Sequence, residues 1–452
     1  MIPRSRPFLD VNSIYEILKQ EYPEKPVKNF ERVFSQAVYS NRNWMTHQGR
    51  DALAIIFRAL RLQDKDEVIV PDLICRVVID TIIKFKAIPV IADISPDDFN
   101  ILVQDVDKKI NGRTRAVIAP HLYGMPCDIE SLKALTERHR CVLIEDCAQA
   151  FNSTVYGQSV GTFGDFSIYS FNFDKPVSLG LGGALVVNNE AYIRDVEKAV
   201  SKCDVTSEEE EHSILCQFLL QYYLTEDRNY HHYLPITTGS ELYRSKIIKR
   251  IMEEVIRNKN PNALRPVVNQ IGWLSKIFKI KRHIRPQRKA DLLSAPRLMN
   301  KARAALGLKQ LEVFEYNQQI RNLRAKTYRD RLEGNRFFSL PVVRKGNRIN
   351  YLRFTICNQS GFSRAEWIAR AREIGVEIDY SNWRYLISEL SCYKGLVKVD
   401  KKSLRNSASV QSKIIHLPVH QNLPENVQDD LIGVIENTKD FRGSKSNFRE
   451  VR

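Results

Sequence analysis

The sequence lacks the features that mark membrane, secreted or fibrous proteins. No apolar run approaches the ~18 residues that a membrane span needs. Residues 1–18, MIPRSRPFLDVNSIYEIL, contain no apolar stretch followed by a small-residue cleavage site. Internal repeats and low-complexity tracts are absent as well. These absences argue against wholesale disorder and predict a cytoplasmic protein.

Cysteine is present without any of the spacings that carry chemistry. The eight cysteines form no CxxC pair and do not cluster with histidine in a metal-binding pattern. We therefore expect reduced thiols and no metal site.

Length and charge limit the architecture more than the function. A chain of 452 residues exceeds one ordinary domain and suits two, which leaves room for a sizeable buried site. The formal net charge of +16 is compatible with nucleic acid, an anionic membrane surface or a phosphorylated substrate. Charge alone does not choose among them.

From about residue 45 the sequence alternates between helical and strand-like segments. Short β-rich runs occur at 67–71, 88–94, 114–121, 141–146, 166–171 and 182–189. Segments of helical period separate the earlier ones, at 52–60, 77–85 and 129–139, the last with Asp128 as its predicted N-cap. This alternation predicts a mostly parallel sheet covered on both faces.

The pattern predicts four regions along the chain. We expect a large α/β domain at 1–200, a helical and partly basic insertion at 201–295, and a helix returning to the large domain at 296–330. The remaining residues, 331–452, predict a small C-terminal α/β domain with a strand at 351–356, a helix at 365–374, a strand at 376–380 and a final helix.

Two polar positions stand where apolar strands end. Asp146 closes the strand CVLIED, and the segment after Phe171, FNFDKPVSLGLGG, contains Lys175 among glycines that allow close backbone approach. Ligands of parallel sheets bind beyond the carboxyl ends of the strands, so both positions are candidates for a binding site.

Several motifs together resemble the DegT/DnrJ/EryC1/StrS family of sugar aminotransferases, which are pyridoxal 5′-phosphate (PLP) enzymes of fold type I. They cover most of the chain outside 200–290: DEVIVP, IPVIADI, HLYGMPCDIESL, IEDCAQA, VGTFGDFSIYSF, Lys175 with GLGGALVVNN, AALGLKQL and HLPVH. The resemblance implies a homodimer that transfers an amino group from glutamate or glutamine to a keto-sugar, and it favours a sugar linked to a nucleotide.

The resemblance also assigns roles to residues. Lys175 would hold the aldehyde of the cofactor and move protons, and Asp146 would keep its pyridine nitrogen protonated. Gln149 would hydrogen-bond the ring oxygen, Ser170 and the Gly49 turn would bind the phosphate, and His121 would lie near the substrate. Each has a plainer reading: a surface lysine, a helix N-cap, polar loop residues or a buried structural histidine.

Four positions depart from the family pattern. Arg50 replaces the threonine of the phosphate turn, Cys75 replaces the aromatic residue that stacks on the cofactor ring, and Leu181 replaces a glutamate. Pro296, in SAPRLM, replaces the asparagine of a stretch that crosses from the partner subunit to the phosphate. We hypothesise that Arg50 supplies in cis the positive charge that relatives take from the neighbouring chain; the alternative is a solvent-facing arginine.

Residues 267–289 combine apolar positions at helical spacing with interleaved lysines and arginines. Three readings remain open: a helix packed on the enzyme body, peripheral contact with an anionic membrane, and binding of an anionic polymer or lipid-diphosphate substrate. Nucleic-acid binding has no motif to support it. The other rivals are a degenerate relative with a regulatory or scaffold role and a different PLP-dependent sugar reaction.

Overall fold

The computed structural model describes residues 1–3, 5–19, 21–40, 42–225, 295–380 and 385–437. The helices of these residues are α1 Val11–Leu18, α2 Pro26–Val38, α3 Gly49–Ala59, α4 Arg76–Lys84, α5 Val103–Lys109, α6 Ile129–His139, α7 Ile193–Val200, α8 Glu208–Leu224, α9 Lys301–Glu312, α10 Phe314–Leu332, α11 Arg364–Glu373, α12 Arg405–Val410 and α13 Glu425–Glu436.

The strands are β1 Asn43–Thr46, β2 Glu67–Pro71, β3 Ile88–Ala92, β4 Thr114–Pro120, β5 Val142–Asp146, β6 Thr154–Val155, β7 Gln158–Ser159, β8 Phe166–Ser170, β9 Gly183–Val187, β10 Asp204–Val205, β11 Arg297–Leu298, β12 Phe338–Ser339, β13 Asn347–Arg348, β14 Phe354–Asn358, β15 Asp379–Tyr380 and β16 Ile414–Leu417. The six strands predicted before residue 190 are all found, with ends that shift by a residue or two.

The largest sheet of the described residues has nine strands, in the order β10-β11-β1-β9-β8-β5-β4-β2-β3. The five strands from β8 to β3 are parallel to one another, and β9 and β1 add antiparallel pairs at one side. The predicted α/β class with a mostly parallel sheet is confirmed. The carboxyl ends of the parallel strands therefore meet at one edge.

Both faces of this sheet are buried because its parallel strands carry mostly apolar side chains on both sides. In β4, Ala116 and Ile118 pack into the core beneath α3 and α4, whereas Val117 and Ala119 pack into the core beneath α2 and α9. Successive side chains of a strand point to opposite faces, so an unbroken apolar run fills two cores at once.

A second sheet, in the order β12-β14-β16-β15, lies near the C-terminus and packs on helices α10, α11 and α13. The strand predicted at 351–356 begins later, at Phe354, since Tyr351 has a φ of 41°, in the left-handed region that a strand excludes. The HLPVH motif contributes its first residues to β16, between β14 and β15.

The acidic run of the predicted insertion opens α8, where Ser207 caps the helix by accepting a hydrogen bond from Glu210 N. Strands β10 and β11, which lie before α8 and before α9, pair with each other in parallel. The chain thus leaves and rejoins the large sheet at adjacent strands. The basic segment 267–289 lies outside the described residues.

One predicted cap is wrong. Asp128 stands at the N-cap position of α6, but its side chain makes no capping hydrogen bond. Instead its Oδ2 accepts a hydrogen bond from Arg344 Nη1 at 3.2 Å.

Among the described helices, none is long and apolar enough to cross a bilayer.

Candidate active site

A cavity of about 370 Å³ opens at the carboxyl ends of the parallel strands. It lies beyond β4, β5 and β8 and is bounded by the N-terminal ends of α3 and α4. The structure brings all eight residues predicted for the site to its wall: Gly49, Arg50, Cys75, His121, Asp146, Gln149, Ser170 and Lys175.

Lys175 lies in the loop between β8 and β9. Phe171 N donates to Gly182 O at 2.9 Å and Leu179 N donates to Phe171 O at 2.9 Å, so main-chain bonds fix the two ends of this loop. The lysine side chain is only 12% exposed, and its Nζ lies 3.8 Å from Asp174 Oδ2. The same carboxylate accepts from Arg353 Nη2 at 3.3 Å. The amine therefore projects into the cavity from a fixed loop.

Asp146 ends β5 and is buried. Its Oδ1 accepts a hydrogen bond from Ala148 N at 3.0 Å. Burial raises the pKa of this carboxyl, while the nearby Lys175 and His121 lower it, and the net direction is upward. Within the described part of the chain, Asp146 makes no ion pair, so its charge is poorly compensated and a cationic ligand would stabilise it.

His121 is completely buried, and both of its ring nitrogens are engaged. Nδ1 accepts a hydrogen bond from Cys127 N at 3.1 Å, which leaves Nε2 to donate to Glu145 Oε2 at 3.1 Å. The histidine lines the cavity, but this geometry favours a structural role over proton transfer.

Gln149 is oriented by the main chain beside it. Its Oε1 accepts a hydrogen bond from Tyr123 N at 2.9 Å. The amide NH₂ group is then the end of the side chain that can donate to a ligand in the cavity.

Glu145 is a structural residue that sequence reasoning missed. Its buried carboxylate accepts hydrogen bonds from the amides of Gly161, Phe163 and Gly164 at 2.7, 2.8 and 2.7 Å, besides the one from His121. It therefore fixes the loop of the VGTFGD motif beneath the site. The sequence shows Glu145 only as a charged residue within an otherwise apolar strand, and this pattern does not identify its partners.

Within the described residues, one group of side chains has the spacing of a metal site: His121, Glu145 and Cys147, whose ligand atoms lie within 4.8 Å of one another. The carboxylate and both imidazole nitrogens already have hydrogen-bond partners. Burial, followed by the charge of Glu145, raises the pKa of the Cys147 thiol far above its ordinary value. Because the imidazole and the carboxylate are already committed to these hydrogen bonds, we interpret the group as structural.

Helix α3 points its N-terminus at the cavity. Gln48 precedes it without a side-chain capping bond, and Asp51 N donates to Gln48 O at 3.0 Å. The positive end of the helix therefore faces the cavity, where it favours an anion. Gly49 lies against Ser170: a Cβ at Gly49 would come within 3.6 Å of the Ser170 Cβ. A Cβ at Gly183 would come within 2.5 Å of Gly49 N, so the close packing of position 183 against Gly49 requires glycine at 183.

A buried charged network lies behind α3. Arg303 Nε donates to Glu211 Oε1 at 2.7 Å, and Arg303 Nη1 donates to His47 O and Leu181 O, both at 2.9 Å. One guanidinium thus connects the strand before the α3 turn to the loop after Lys175. Leu181, where the family has glutamate, contributes its carbonyl group to this arrangement.

The segment that departs from the family at Pro296 contacts α3 of its own chain. Arg297 N donates to Asp51 Oδ1 at 3.3 Å, and Arg297 Nη2 lies 2.9 Å from His47 Nε2. Burial, then Arg303 and Arg297, lowers the pKa of His47 to about 2. Since His47 stays neutral, the positive charge beside α3 resides on the arginines.

Cys75 is the N-cap residue of α4 and lines the cavity with its thiol. Burial raises the pKa of this thiol, although Lys175 and Arg50 lie close enough to lower it and Asp146 raises it further. The position expected to hold a stacking aromatic ring is therefore occupied by a small, protonated side chain among the charged groups of the site.

The sheet and this cavity define the class: the fold is that of the fold-type-I PLP aminotransferases. The sequence model of the DegT/DnrJ/EryC1/StrS aminotransferase family matches residues 13–213 and 278–436, and the chain belongs to that family.

Similar proteins agree with this assignment. The GDP-perosamine synthase of Vibrio cholerae is 40% identical over 169 residues, which cover 37% of this chain and 46% of the relative. That of Escherichia coli O157:H7 is 35% identical over 164 residues, covering 36% and 45%. The matched segments thus span about half the length of these relatives.

A solved structure extends the likeness to the whole fold. The putative sugar aminotransferase Spr1654 of Streptococcus pneumoniae, in its PLP form, superposes with a TM-score of 0.69 at 19% identity, covering 96% of this chain and 97% of the other.

Proposed function

We propose that this chain is a PLP-dependent aminotransferase that transfers an amino group from glutamate or glutamine to a keto-sugar, most simply a nucleotide-linked one. The observation that carries the proposal is the cavity that gathers Lys175, Asp146, Gln149, Ser170 and the N-terminus of α3. The names of the GDP-perosamine synthases support a nucleotide-linked acceptor.

The residues present fit the cofactor at its ring. Asp146 has a buried carboxylate whose pKa is raised because burial outweighs its neighbours, and a protonated pyridine nitrogen is the cation that would stabilise it. Gln149 offers an amide donor for the ring oxygen, because its own oxygen accepts from Tyr123 N. Cys75 would contact the ring with less surface than an aromatic residue.

The residues present also fit the phosphate. The N-terminus of α3, Ser170 and Arg50 all line the cavity. A helix N-terminus and a guanidinium both favour a dianionic phosphate.

When bound, the cofactor supplies the electron sink for transamination. Lys175 would hold it covalently through Nζ in the resting enzyme, and the same amine, once the amino substrate has released it, would carry the proton that is exchanged. Asp146 would hold the ring proton, while Gln149 would orient the ring. His121 would keep Glu145 and the 161–164 loop in place.

The proposal includes a homodimer in the cytoplasm, as the sequence resemblance implies. The same resemblance implies the amino donor and the keto-sugar acceptor. It does not indicate which carbon of the sugar is aminated.

Absorption spectroscopy of the purified chain with PLP tests the proposal. We expect a visible band that borohydride reduction fixes covalently to Lys175, that Lys175→Ala lacks, and that the exposed-lysine control Lys133→Ala keeps. L-Glutamate or L-glutamine should then bleach the band in the parent. No band and no adduct in the parent would refute the proposal and leave a fold without its cofactor.

A further inference from the structure

The mouth of the cavity carries an arginine that the roles above do not use. Arg76 is the first residue of α4 and lines the cavity next to Cys75. On the basis of the proposed function, we propose that Arg76 binds an oxyanion carried by a substrate. This oxyanion is either a phosphate of the sugar nucleotide or a carboxylate of the amino donor.

The guanidinium of Arg76 is held by uncharged groups. Nε donates to the Tyr393 phenol oxygen at 3.3 Å, Nη2 lies 3.7 Å from Cys392 Sγ, and the guanidinium carbon is 5.6 Å from the centroid of the Tyr393 ring. Tyr393 in turn donates to Asp80 Oδ1 at 2.7 Å. Among the described residues, Arg76 therefore makes no direct ion pair, although the charge of the nearby Asp80 acts on it.

Three other arginines near the site differ in this respect. Arg303 pairs with Glu211, Arg297 with Glu210 and Arg353 with Asp174. Their charges are balanced by direct ion pairs, and Arg50 is assigned above to the cofactor phosphate. The charge of Arg76 is opposed at longer range by Asp80, and its fork of donors matches the geometry of a carboxylate or phosphate.

The anchor of Arg76 is itself fixed to the large domain. Tyr393 lies in residues 385–407, which we call the docked segment. Ser388 N and Oγ donate to the buried Asp72 at 2.8 and 2.7 Å, and Lys398 N donates to Pro89 O at 2.8 Å. A preorganised guanidinium loses little freedom when it binds an anion.

The local field also favours an anion. The amides at the N-terminal end of α4 share the cavity wall with Arg76, Arg50 and Lys175. Asp174 is committed to Arg353 and Lys175, and Asp146 would be committed to the ring nitrogen of the cofactor. With Arg50 and Lys175 assigned to the cofactor, a substrate anion would meet Arg76 and the first amides of α4 as the positive groups of this wall.

Binding measurements on the full chain with PLP test this role. The probes are inorganic pyrophosphate, GDP, UDP and L-glutamate, and the variants are Arg76→Gln, Arg76→Lys and Tyr393→Phe, with the exposed Arg61→Gln as control. We expect Arg76→Gln to raise the dissociation constant of one probe class by about tenfold or more, because charge-assisted hydrogen bonds are the strong ones. Arg76→Lys and Tyr393→Phe should lose less, and Arg61→Gln nothing.

The probes separate the two sources of the anion. Weaker pyrophosphate, GDP and UDP binding with unchanged glutamate binding assigns the phosphate, and the reverse assigns the carboxylate. Equal affinities in parent and Arg76→Gln, or no binding of any probe to the parent, would overturn the proposal. So would loss of the PLP absorption band in Arg76→Gln, since Arg76 would then act on the cofactor.

The same titrations without PLP separate this proposal from the proposed function. A parent protein that takes up no PLP but binds a probe through Arg76 would refute the cofactor and keep the anion site.

Discussion

Arg303 and Glu211 form an ion pair almost completely shielded from water, with side-chain exposures of 0% and 2%. The Arg303 guanidinium also donates hydrogen bonds to the carbonyl groups of His47 and Leu181, which lie on the two sides of the candidate cofactor site. Packing of α8 against α9 thus bears directly on the cavity.

Breaking this pair from either side should destabilise the protein strongly. We expect Arg303→Met and Glu211→Leu each to lower the free energy of unfolding by about 3–5 kcal/mol, because each leaves buried polar or charged groups without partners. The double variant Arg303→Met/Glu211→Leu should cost clearly less than the sum of the two single changes. Urea denaturation followed by circular dichroism measures all three.

The exposed pair of Arg61 and Asp195 provides the control, with side-chain exposures of 74% and 38%. Arg61→Met should change stability by less than about 1 kcal/mol. Additive losses in the double variant of the buried pair would show that the two side chains act independently.

Arg50 should strengthen cofactor binding through the phosphate. We expect Arg50→Ala to raise the dissociation constant for PLP by about tenfold or more, because a charge-assisted contact to the phosphate is lost. The constant should not depend on protein concentration, since the charge comes from the same chain. Absorbance titration of parent, Arg50→Ala and Arg61→Ala measures it, and equal affinities would rule out the in-cis role.

Asp146 should matter for turnover more than for attachment. Asp146→Asn keeps an oxygen that can accept from Ala148 N but cannot balance a protonated ring nitrogen. We expect amino transfer from glutamate to slow by about a hundredfold or more, because the paired buried charge is lost. Borohydride should still fix PLP to Lys175. Single-turnover kinetics would contradict this role if the rate matched that of the exposed control Asp195→Asn.

The sequence predicts the positions of site residues well where those residues lie at or just after the ends of strands. Asp146 and Lys175 each come at or just after an apolar strand, and parallel strands end at one edge, so their meeting follows from the topology. Gly49 and Ser170 meet for the same reason, because β1 and β8 also end at this edge of the sheet, each opposite Gly183 of β9.

Other parts of the site have no local signal. Glu211 and Arg303 are far apart in the sequence, and only the packing of α8 on α9 brings them together. Glu145 resembles any polar residue in a strand until the 161–164 loop presents its amides. The docked segment has no periodicity that predicts its position over β2 and β3.

Asp51, beside the phosphate turn, should make stability depend on pH. Burial raises its pKa from 3.8 to about 6, although Arg297 N and the Arg50 charge oppose the shift. The folded state therefore binds this proton more tightly than the unfolded chain. The stabilising contribution is complete below about pH 3.8 and is lost as the pH rises through about 6.

Asp51→Asn imitates the protonated form and should remove this dependence. Above pH 7 we expect the variant to be more stable than the parent, by on the order of 3 kcal/mol at most. The difference should shrink as the pH falls and become small near pH 4, where the carboxyl is protonated in the folded parent and begins to be protonated in the unfolded chain as well. Because both proteins retain His47, its own titration largely cancels from the comparison. Thermal unfolding of parent, Asp51→Asn and the exposed control Asp195→Asn between pH 4 and 8 measures it, and a constant difference across that range would show that Asp51 does not titrate there.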